Sequence, residues 1–329
     1  MATCQGETYL QQQLDSIEQQ RYRHWMLHVS DDASSDKTLE IVEAFKLRCE
    51  QAYAHAHEKN SGLLKEPLAF GQVHLHTGPQ KGPTENFMHL VRLLGGAQCF
   101  KTNDLVAFAD QDDVWLPEKL ERAVAWHLKE RARHASANTH PMLYAAKSYL
   151  VDEALGPMGL SKTPKGPLVF NAALVENVLS GNTMVMNKAL IDILKLMHVS
   201  NAVWHDWSAY LVATACQGAL HYDEAPCVLY RQHDKNVIGV RTGFVQQCFR
   251  ARAVLQGRYK AWAEVNLLGL KDIEASLSAQ SAQLLHLYER VRSEKSAMRR
   301  LLMLRHLSIR RQSPLLQFFL YLGLLLGWV

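Results

Sequence analysis

Phe108-Ala109-Asp110-Gln111-Asp112-Asp113-Val114-Trp115 ends the apolar run Leu105–Ala109 with three carboxylates in four residues. A continuous apolar run of that length reads as a buried strand, and the acids stand where it ends. Three anions packed this closely repel one another unless a cation compensates. Carboxylate oxygens at a strand end suit Mg2+ or Mn2+, ions that also bind phosphate oxygens. For Asp110 and Asp112 the favoured reading is metal and nucleotide binding. For Asp113 a helix N-cap ahead of Leu116-Pro117 weighs equally.

Working outward, residues 1–150 alternate short apolar runs with amphipathic stretches. The pattern predicts strands at Trp25–Val29, Val73–Leu75, Leu105–Ala109 and Met142–Tyr149. Helices are predicted at Thr8–Gln20, Ser34–Glu50, Thr84–Leu94 and Pro117–Arg133. Such alternation implies an α/β fold, a mostly parallel sheet flanked by helices, whose ligands gather at the carboxyl ends of the strands. Met1-Ala2-Thr3 reads as the end of a first strand. Three residues are too few for a central one, which implies a misassigned start or a much shortened strand. Residues 151–175, rich in Gly, Pro and Lys, read as a loop over a site. Residues 176–240 return to short strands and a helix, and 243–329 read as helical.

A second acidic strand end supports the first. Ser30-Asp31-Asp32-Ala33-Ser34-Ser35-Asp36 follows the strand that begins at Trp25. Its carboxylates can accept hydrogen bonds from a nucleobase or ribose. Its plainer reading is a capped turn into the next helix, with Ser34, Ser35 or Asp36 as the cap.

The order Ala2-Thr3-Cys4-Gln5-Gly6-Glu7, Ser30 to Asp36, Asp110 to Trp115 resembles that of a family 2 glycosyltransferase of the GT-A fold. The nearest likeness is to the rhamnosyltransferase-like branch of bacterial polysaccharide synthesis. Lys81-Gly82-Pro83-Thr84-Glu85-Asn86-Phe87, Ser180-Gly181-Asn182-Thr183-Met184, His205-Asp206-Trp207 and Tyr230-Arg231-Gln232-His233 resemble further motifs of that family. The likeness spans about residues 1–240 and departs from the family's usual Tyr-Asn at Cys4-Gln5.

The resemblance implies roles. Thr3, Asp31 and Asp32 would lie against the nucleotide. Asp110 and Asp112 would form the D-x-D element, with Asp112 as ligand to Mn2+ or Mg2+. His233 would add a metal or diphosphate contact, Arg231 would offset the departing phosphate charge, and Asp206 would be the catalytic base of an inverting transfer. The donor would be a dTDP- or UDP-sugar, and the acceptor a glycan or lipid-linked saccharide. From spacing alone Asp206 reads as a plain N-cap of a helix at Asp206–Gln217, ionised by the helix dipole. Trp115, Trp204 and Trp207 read as stacking platforms or as core residues. Two alternatives stand beside the transferase: a noncatalytic nucleotide-sugar-binding member of the family, and a sugar nucleotidyltransferase. The latter needs a basic, Gly-rich first loop, and Thr3 to Tyr9 holds no basic residue.

Charge divides the chain. Residues 1–240 carry 22 basic and 27 acidic groups, and residues 241–329 carry 14 and 5. That division argues against a nucleic-acid partner and for a tail with its own anionic surface. The organisation expected is a catalytic domain over 1–240 and a helical basic region over 241–329. The uncharged stretch 315–329 follows five arginines between Arg299 and Arg311. Fifteen residues span roughly 22 Å as helix, short of a hydrocarbon core, so docking at the inner face of the cell membrane is favoured over crossing it. The six cysteines form no C-x-x-C pair and no signal peptide opens the chain, so a cytoplasmic setting is expected.

Overall fold

A computed structural model describes residues 1–59, 71–96, 100–133, 139–233 and 258–327. Its strands are β1 (Ala2–Thr3), β2 (Met26–Asp31), β3 (Gln72–Thr77), β4 (Leu105–Ala107), β5 (Val114–Trp115), β6 (Met142–Val151), β7 (Pro157–Leu160), β8 (Val185–Asn187) and β9 (Ala219–Arg231). Its helices are α1 (Leu10–Glu18), α2 (Thr38–Lys59), α3 (Pro83–Gly96), α4 (Lys119–Arg131), α5 (Phe170–Ala173), α6 (Lys188–Leu194), α7 (His205–Ala215), α8 (Arg258–Asp272), α9 (Ala279–Ser293), α10 (Ala297–Leu304) and α11 (Pro314–Leu326).

The fold is α/β, and its strands form two sheets. The first is the parallel set β1-β2-β3, in which Thr3 lies opposite Asp31 and Asp31 opposite Thr77. The second runs β4-β8-β6-β9-β5, with β7 on β6. Parallel pairing is confined to the first sheet and to β6·β9, and the other pairs of the second sheet are antiparallel. The reason lies in the connections. A helix crossover separates β1, β2 and β3 and returns each strand in the same sense. β7 follows β6 through a short link that reverses direction.

The stretch 151–175, expected as a loop, contains β7 and the short α5. β7 folds back on β6, with Tyr149 opposite Leu160. The helix expected from Ser34 starts at Thr38, because Asp36 accepts the Thr38 N–H at 3.0 Å and ends the turn there.

Two apolar clusters hold the sheets. Leu10, Leu14, Val29, Phe45, Trp115 and Tyr144 belong to one, between β2, α1, α2 and the second sheet. The other gathers Phe87, Met184, Leu190, Tyr210 and Leu211. It also contains Leu270, Leu285, Tyr288, Val291, Leu320 and Leu324 from α8, α9 and α11. The region from residue 258 onward therefore shares a core with the sheet-bearing part of the chain. The boundary drawn at 240 lies outside the described residues.

Candidate active site

The carboxyl ends of β1, β2 and β3 meet at one edge, and each turn there bends sharply. Gln5, Ala33 and Gln80 have φ of 51°, 64° and 59°, a left-handed conformation rare outside glycine. Their strain is held by side chains from neighbouring turns. Thr3 Oγ1 donates to Asp31 Oδ1 at 2.9 Å, while Ser34 donates to the same carboxylate through its N–H at 2.8 Å and its hydroxyl at 2.6 Å. Asp32 accepts the Gln80 N–H on one oxygen and the Gly82 N–H, at 2.8 Å, on the other. Gly78 has no room for a side chain, because a Cβ there would stand 2.8 Å from the Asp31 carbonyl and from Asp32 Oδ1. The residues expected to face the nucleotide thus frame this edge, and these bonds of both carboxylates run to the protein's own turns. Asp36, whose pKa is lowered mainly by its hydrogen bond from the Thr38 hydroxyl against an opposing effect of burial, belongs to the same frame.

The turn after β4 is built differently. Gln111 reaches across to the first sheet, accepting the Cys4 N–H at 2.8 Å and donating to the Cys4 carbonyl at 2.9 Å. This two-way clasp sews the two acidic edges together. Asp113 is buried and accepts from Asn182 Nδ2 at 2.6 Å and from the Arg231 N–H at 3.2 Å. Burial, followed by the charges of Asp110 and Asp112, pushes its pKa well up. Asp113 is therefore not the N-cap; α4 starts behind Glu118 without a side-chain cap bond. Asp110 is raised to about 7 by burial, then by Asp112 and Asp206. Asp112 meets His233, with Oδ2 2.8 Å from Nε2, and Tyr9 stacks on that imidazole at 5.3 Å.

Asp206 is brought to this cluster by α7. It occupies the second helical position behind Trp204, so it is not the N-cap either, and it accepts the Trp207 N–H at 2.7 Å. Burial raises its pKa to about 6. Desolvation thus outweighs the helix dipole, whose effect is typically a kcal/mol or less, although a pKa of about 6 still leaves the carboxylate ionised at neutral pH, as expected. Gly181 makes the approach feasible, because a Cβ there would stand 3.1 Å from that of Asp206 and 2.7 Å from His205 Nε2. Tyr230 feels all four acids. Burial first, then Asp110, Asp113, Asp112 and Asp206, raises its pKa.

Arg231 has an unexpected posture. Its guanidinium donates to the Asp112 carbonyl at 2.8 Å, to the Glu153 carbonyl and to Gln12, and it lies over the Tyr9 ring at 4.4 Å. It clamps the acidic turn from behind. His205 is buried, stacked on Phe87 at 3.9 Å, and held neutral by burial, its pKa near 3. Trp115 and Trp207 are core residues. Trp207 donates to the Ala173 carbonyl at 2.7 Å.

Two residues of this site went unassigned in the sequence. Lys119 lies fully buried over the Trp115 ring at 3.2 Å and donates to the Asn182 carbonyl at 2.7 Å. Burial lowers its pKa to about 7, against the pull of Cys227, Asp113 and Asp110. Gln111 is the other. The signal for each was proximity to the acids, but nothing in the pattern separates a buried lysine from a solvated one.

Among the described residues no three His, Cys, Asp or Glu side chains form a ready-made metal cage. The donor set nevertheless fits a shared cation. Asp112 and His233 offer two donors side by side, and Lys119 and the N-terminal amino group only partly offset the charge crowded around Asp110. An ion held by two protein groups leaves its other positions to phosphate oxygens and water.

Residues 1–66, which contain the frame around Thr3, Asp31 and Asp32, match the family model described as glycosyl transferase family 2. The likeness to that family is carried here by the first 66 residues. The later motifs of the resemblance, the Asp110 turn, Asp206 and His233, lie beyond the matched segment. The dTDP-rhamnosyl transferase RfbG of Shigella flexneri is 28% identical over 250 residues, covering 74% of this chain and 75% of that one. Among solved structures, TarS 1-349 of S. aureus in complex with UDP-GlcNAc aligns with 88% of this chain and 78% of its own at 14% identity and a TM-score of 0.45. The same TarS fragment with UDP gives 14% identity, 90% and 91% coverage, and a TM-score of 0.43.

Proposed function

We propose that this glycosyltransferase moves a sugar from a nucleotide diphosphate to an acceptor hydroxyl with inversion, using Asp206 as base and a divalent ion held by Asp112 and His233. The observation that carries the reading is the meeting of Asp206 with Asp110 and Asp112 from distant parts of the chain. A pKa near 6 leaves Asp206 ionised at neutral pH yet basic enough to accept a proton. In the transfer, the acceptor O–H proton passes to an Asp206 oxygen. The acceptor oxygen bonds to the anomeric carbon, and the carbon–oxygen bond to the diphosphate breaks, leaving the electron pair on phosphate. Mg2+ or Mn2+, when bound, would neutralise the departing diphosphate. Asp110 would tune the site's charge, and Arg231 would hold the Asp112 turn in place.

The relative named as a dTDP-rhamnosyl transferase supports dTDP-rhamnose as donor, and the acceptor that completes this reading is a glycan or lipid-linked saccharide in polysaccharide synthesis. Release of nucleotide diphosphate from dTDP-rhamnose in the presence of Mn2+ tests this. Release by the wild type, lost in Asp206→Asn with donor binding retained, is the expected result. Equal release by both proteins rejects the base assignment, and the absence of donor binding favours another nucleotide-sugar.

We also propose that the outer surface of α10 and α11 rests on an anionic membrane. Met298, Leu302 and Phe318 are exposed there, with Arg299, Arg305 and Arg310 nearby in sequence. No helix of the described residues is long and apolar enough to cross a bilayer. Leu316, Leu320 and Leu324 are buried, so removing α11 would expose the core. The informative variant is Phe318→Glu, which should lower cosedimentation with phosphatidylglycerol vesicles without changing Tm. Unchanged cosedimentation rejects the surface.

A further inference from the structure

Asp206 is held from outside the acidic cluster, by contacts that lead to a segment much later in the chain. Its carboxylate accepts hydrogen bonds from the Asn177 side chain and the Gly181 N–H, besides that of Trp207. The Asn177 amide is itself oriented. Its Oδ1 accepts the Leu179 N–H at 3.2 Å, which turns Nδ2 to Asp206 as the donor. The preceding residue, Glu176, is the anchor for the link between α10 and α11. Its Oε2 accepts the Gln312 N–H at 2.8 Å, and its Oε1 lies 3.6 Å from Arg311 Nη2, in a pair whose side chains are 14% and 4% exposed. Asn171 donates to the Ser308 carbonyl, and the Lys165 N–H donates to Gln312 Oε1 at 2.9 Å.

A second route joins the same two places. The Arg311 guanidinium lies 4.8 Å over the Tyr259 ring, Tyr259 packs edge-on against Trp262 at 5.2 Å, and Trp262 packs edge-on against Trp207 at 6.2 Å. Trp207 follows Asp206 in α7, and its indole is pinned to the Ala173 carbonyl of α5. The link is fixed on its other side too. Leu307 and Ile309 are buried, and the Ile309 carbonyl accepts from Gln317 at 3.1 Å and from the Tyr321 hydroxyl at 3.2 Å, both of α11.

We propose that residues 308–312 form a strap that positions Asp206, with Glu176 and Asn177 as the positioning residues between them. This rests on the reading of Asp206 as base. A base works only when its oxygen meets the acceptor O–H at hydrogen-bond length, and small displacements cost large factors in rate. Asp206 stands in the first turn of α7, which has no side-chain cap bond, so other elements must orient its carboxylate. Asn177 lies in the irregular stretch 176–180, where no helix or strand ladder fixes the backbone. What fixes it is Glu176. A buried ion pair is a weak source of stability, and its value here is the single arrangement it enforces.

The test labels the aspartate carboxyl carbons of the full chain with carbon-13 and titrates the Asp206 resonance, identified by its loss in Asp206→Asn. Nucleotide diphosphate release from dTDP-rhamnose with Mn2+ is measured in parallel. In the wild type this carboxyl should titrate near 6. Asn177→Ala removes a bond that favours the ionised form. The midpoint should therefore move to higher pH, with kcat lower by about tenfold and the donor KM unchanged. Glu176→Ala should move it in the same direction by less, as should Arg311→Met, which keeps an apolar stem over Tyr259. Glu176→Gln still accepts the Gln312 N–H and should restore the wild-type midpoint. Asp110 and Tyr230 also face this carboxyl and His205 adjoins it, and none of the three is altered in these variants. An unchanged midpoint and kcat in Asn177→Ala would overturn the proposal. So would a lower Tm with an unchanged midpoint in both Glu176→Ala and Arg311→Met, which would reduce the strap to a structural contact. If Asp206→Asn releases diphosphate as fast as the wild type, the base assignment fails, and the carbon-13 midpoints still decide whether the strap holds Asp206.

Discussion

Asp31, Asp32 and Asp36 stand at the end of one sheet, and Asp110, Asp112 and Asp113 at the end of the other, with Gln111 joining the two edges. The first group spends its oxygens on N–H and hydroxyl donors of neighbouring turns. The second group has few such donors and shares its pocket with Asp206, so burial, joined at Asp110 by repulsion from Asp112 and Asp206, pushes Asp110 to about 7, and burial alone pushes Asp206 to about 6. The same side chain at the same kind of strand end is thus quenched where the backbone satisfies it and raised in pKa where burial leaves it unsatisfied.

The contrast can be broken most sharply at Asp206. Asp206→Asn should lower the transfer rate by roughly 10²- to 10⁴-fold, measured as nucleotide diphosphate release, with the fold intact by circular dichroism. A variant within tenfold of wild type would show that the crowded edge is not the reacting one. Asp112→Ala comes next. Losing the charge that faces the diphosphate should cost about 10²-fold in kcat/KM and weaken Mn2+ binding in a calorimetric titration.

Acidity sharpens the comparison further. The rate should rise with pH along a limb near 6, as Asp206 loses its proton, and a flat profile between pH 5 and 7 would contradict the pocket's electrostatics. Stability should move the other way. An acid whose folded pKa is raised lends stability at low pH that is lost as pH rises through that pKa. The Tm of Asp206→Asn, relative to wild type, should therefore increase between pH 4 and 7. The smallest effects belong to the satisfied edge. Asp32→Ala leaves the Gln80 and Gly82 N–H groups without their acceptor and should cost roughly 2 kcal/mol in urea unfolding. Asp36→Ala should cost about 1 kcal/mol, the worth of a helix cap. If Asp32→Ala instead abolished donor binding at unchanged stability, that carboxylate would belong with the reactive group.

Much of the fold was legible. The strands at Trp25, Val73, Leu105 and Met142 and the helices between them follow from apolar periodicity, which responds to local burial. The antiparallel pairing of the second sheet was not legible, since alternation specifies a strand but not its neighbour. In the site, Thr3, Asp31, Asp32, Asp110, Asp112, Asp206 and His233 were all marked by their motifs. The posture of Arg231 and the burial of Lys119 were not, because a long cationic side chain carries no sign in the sequence of whether it turns inward.

The order of motifs and the alternation of strands and helices determined by themselves which family this chain resembles and which carboxylates to consider. Those signals are local, written in residues a few positions apart. Only the tertiary structure decided which carboxylates are quenched and which are poised. That outcome depends on dielectric, on donors and on neighbouring charges supplied by residues far away in the chain, as in the contact between His233 and Asp112, 121 positions apart.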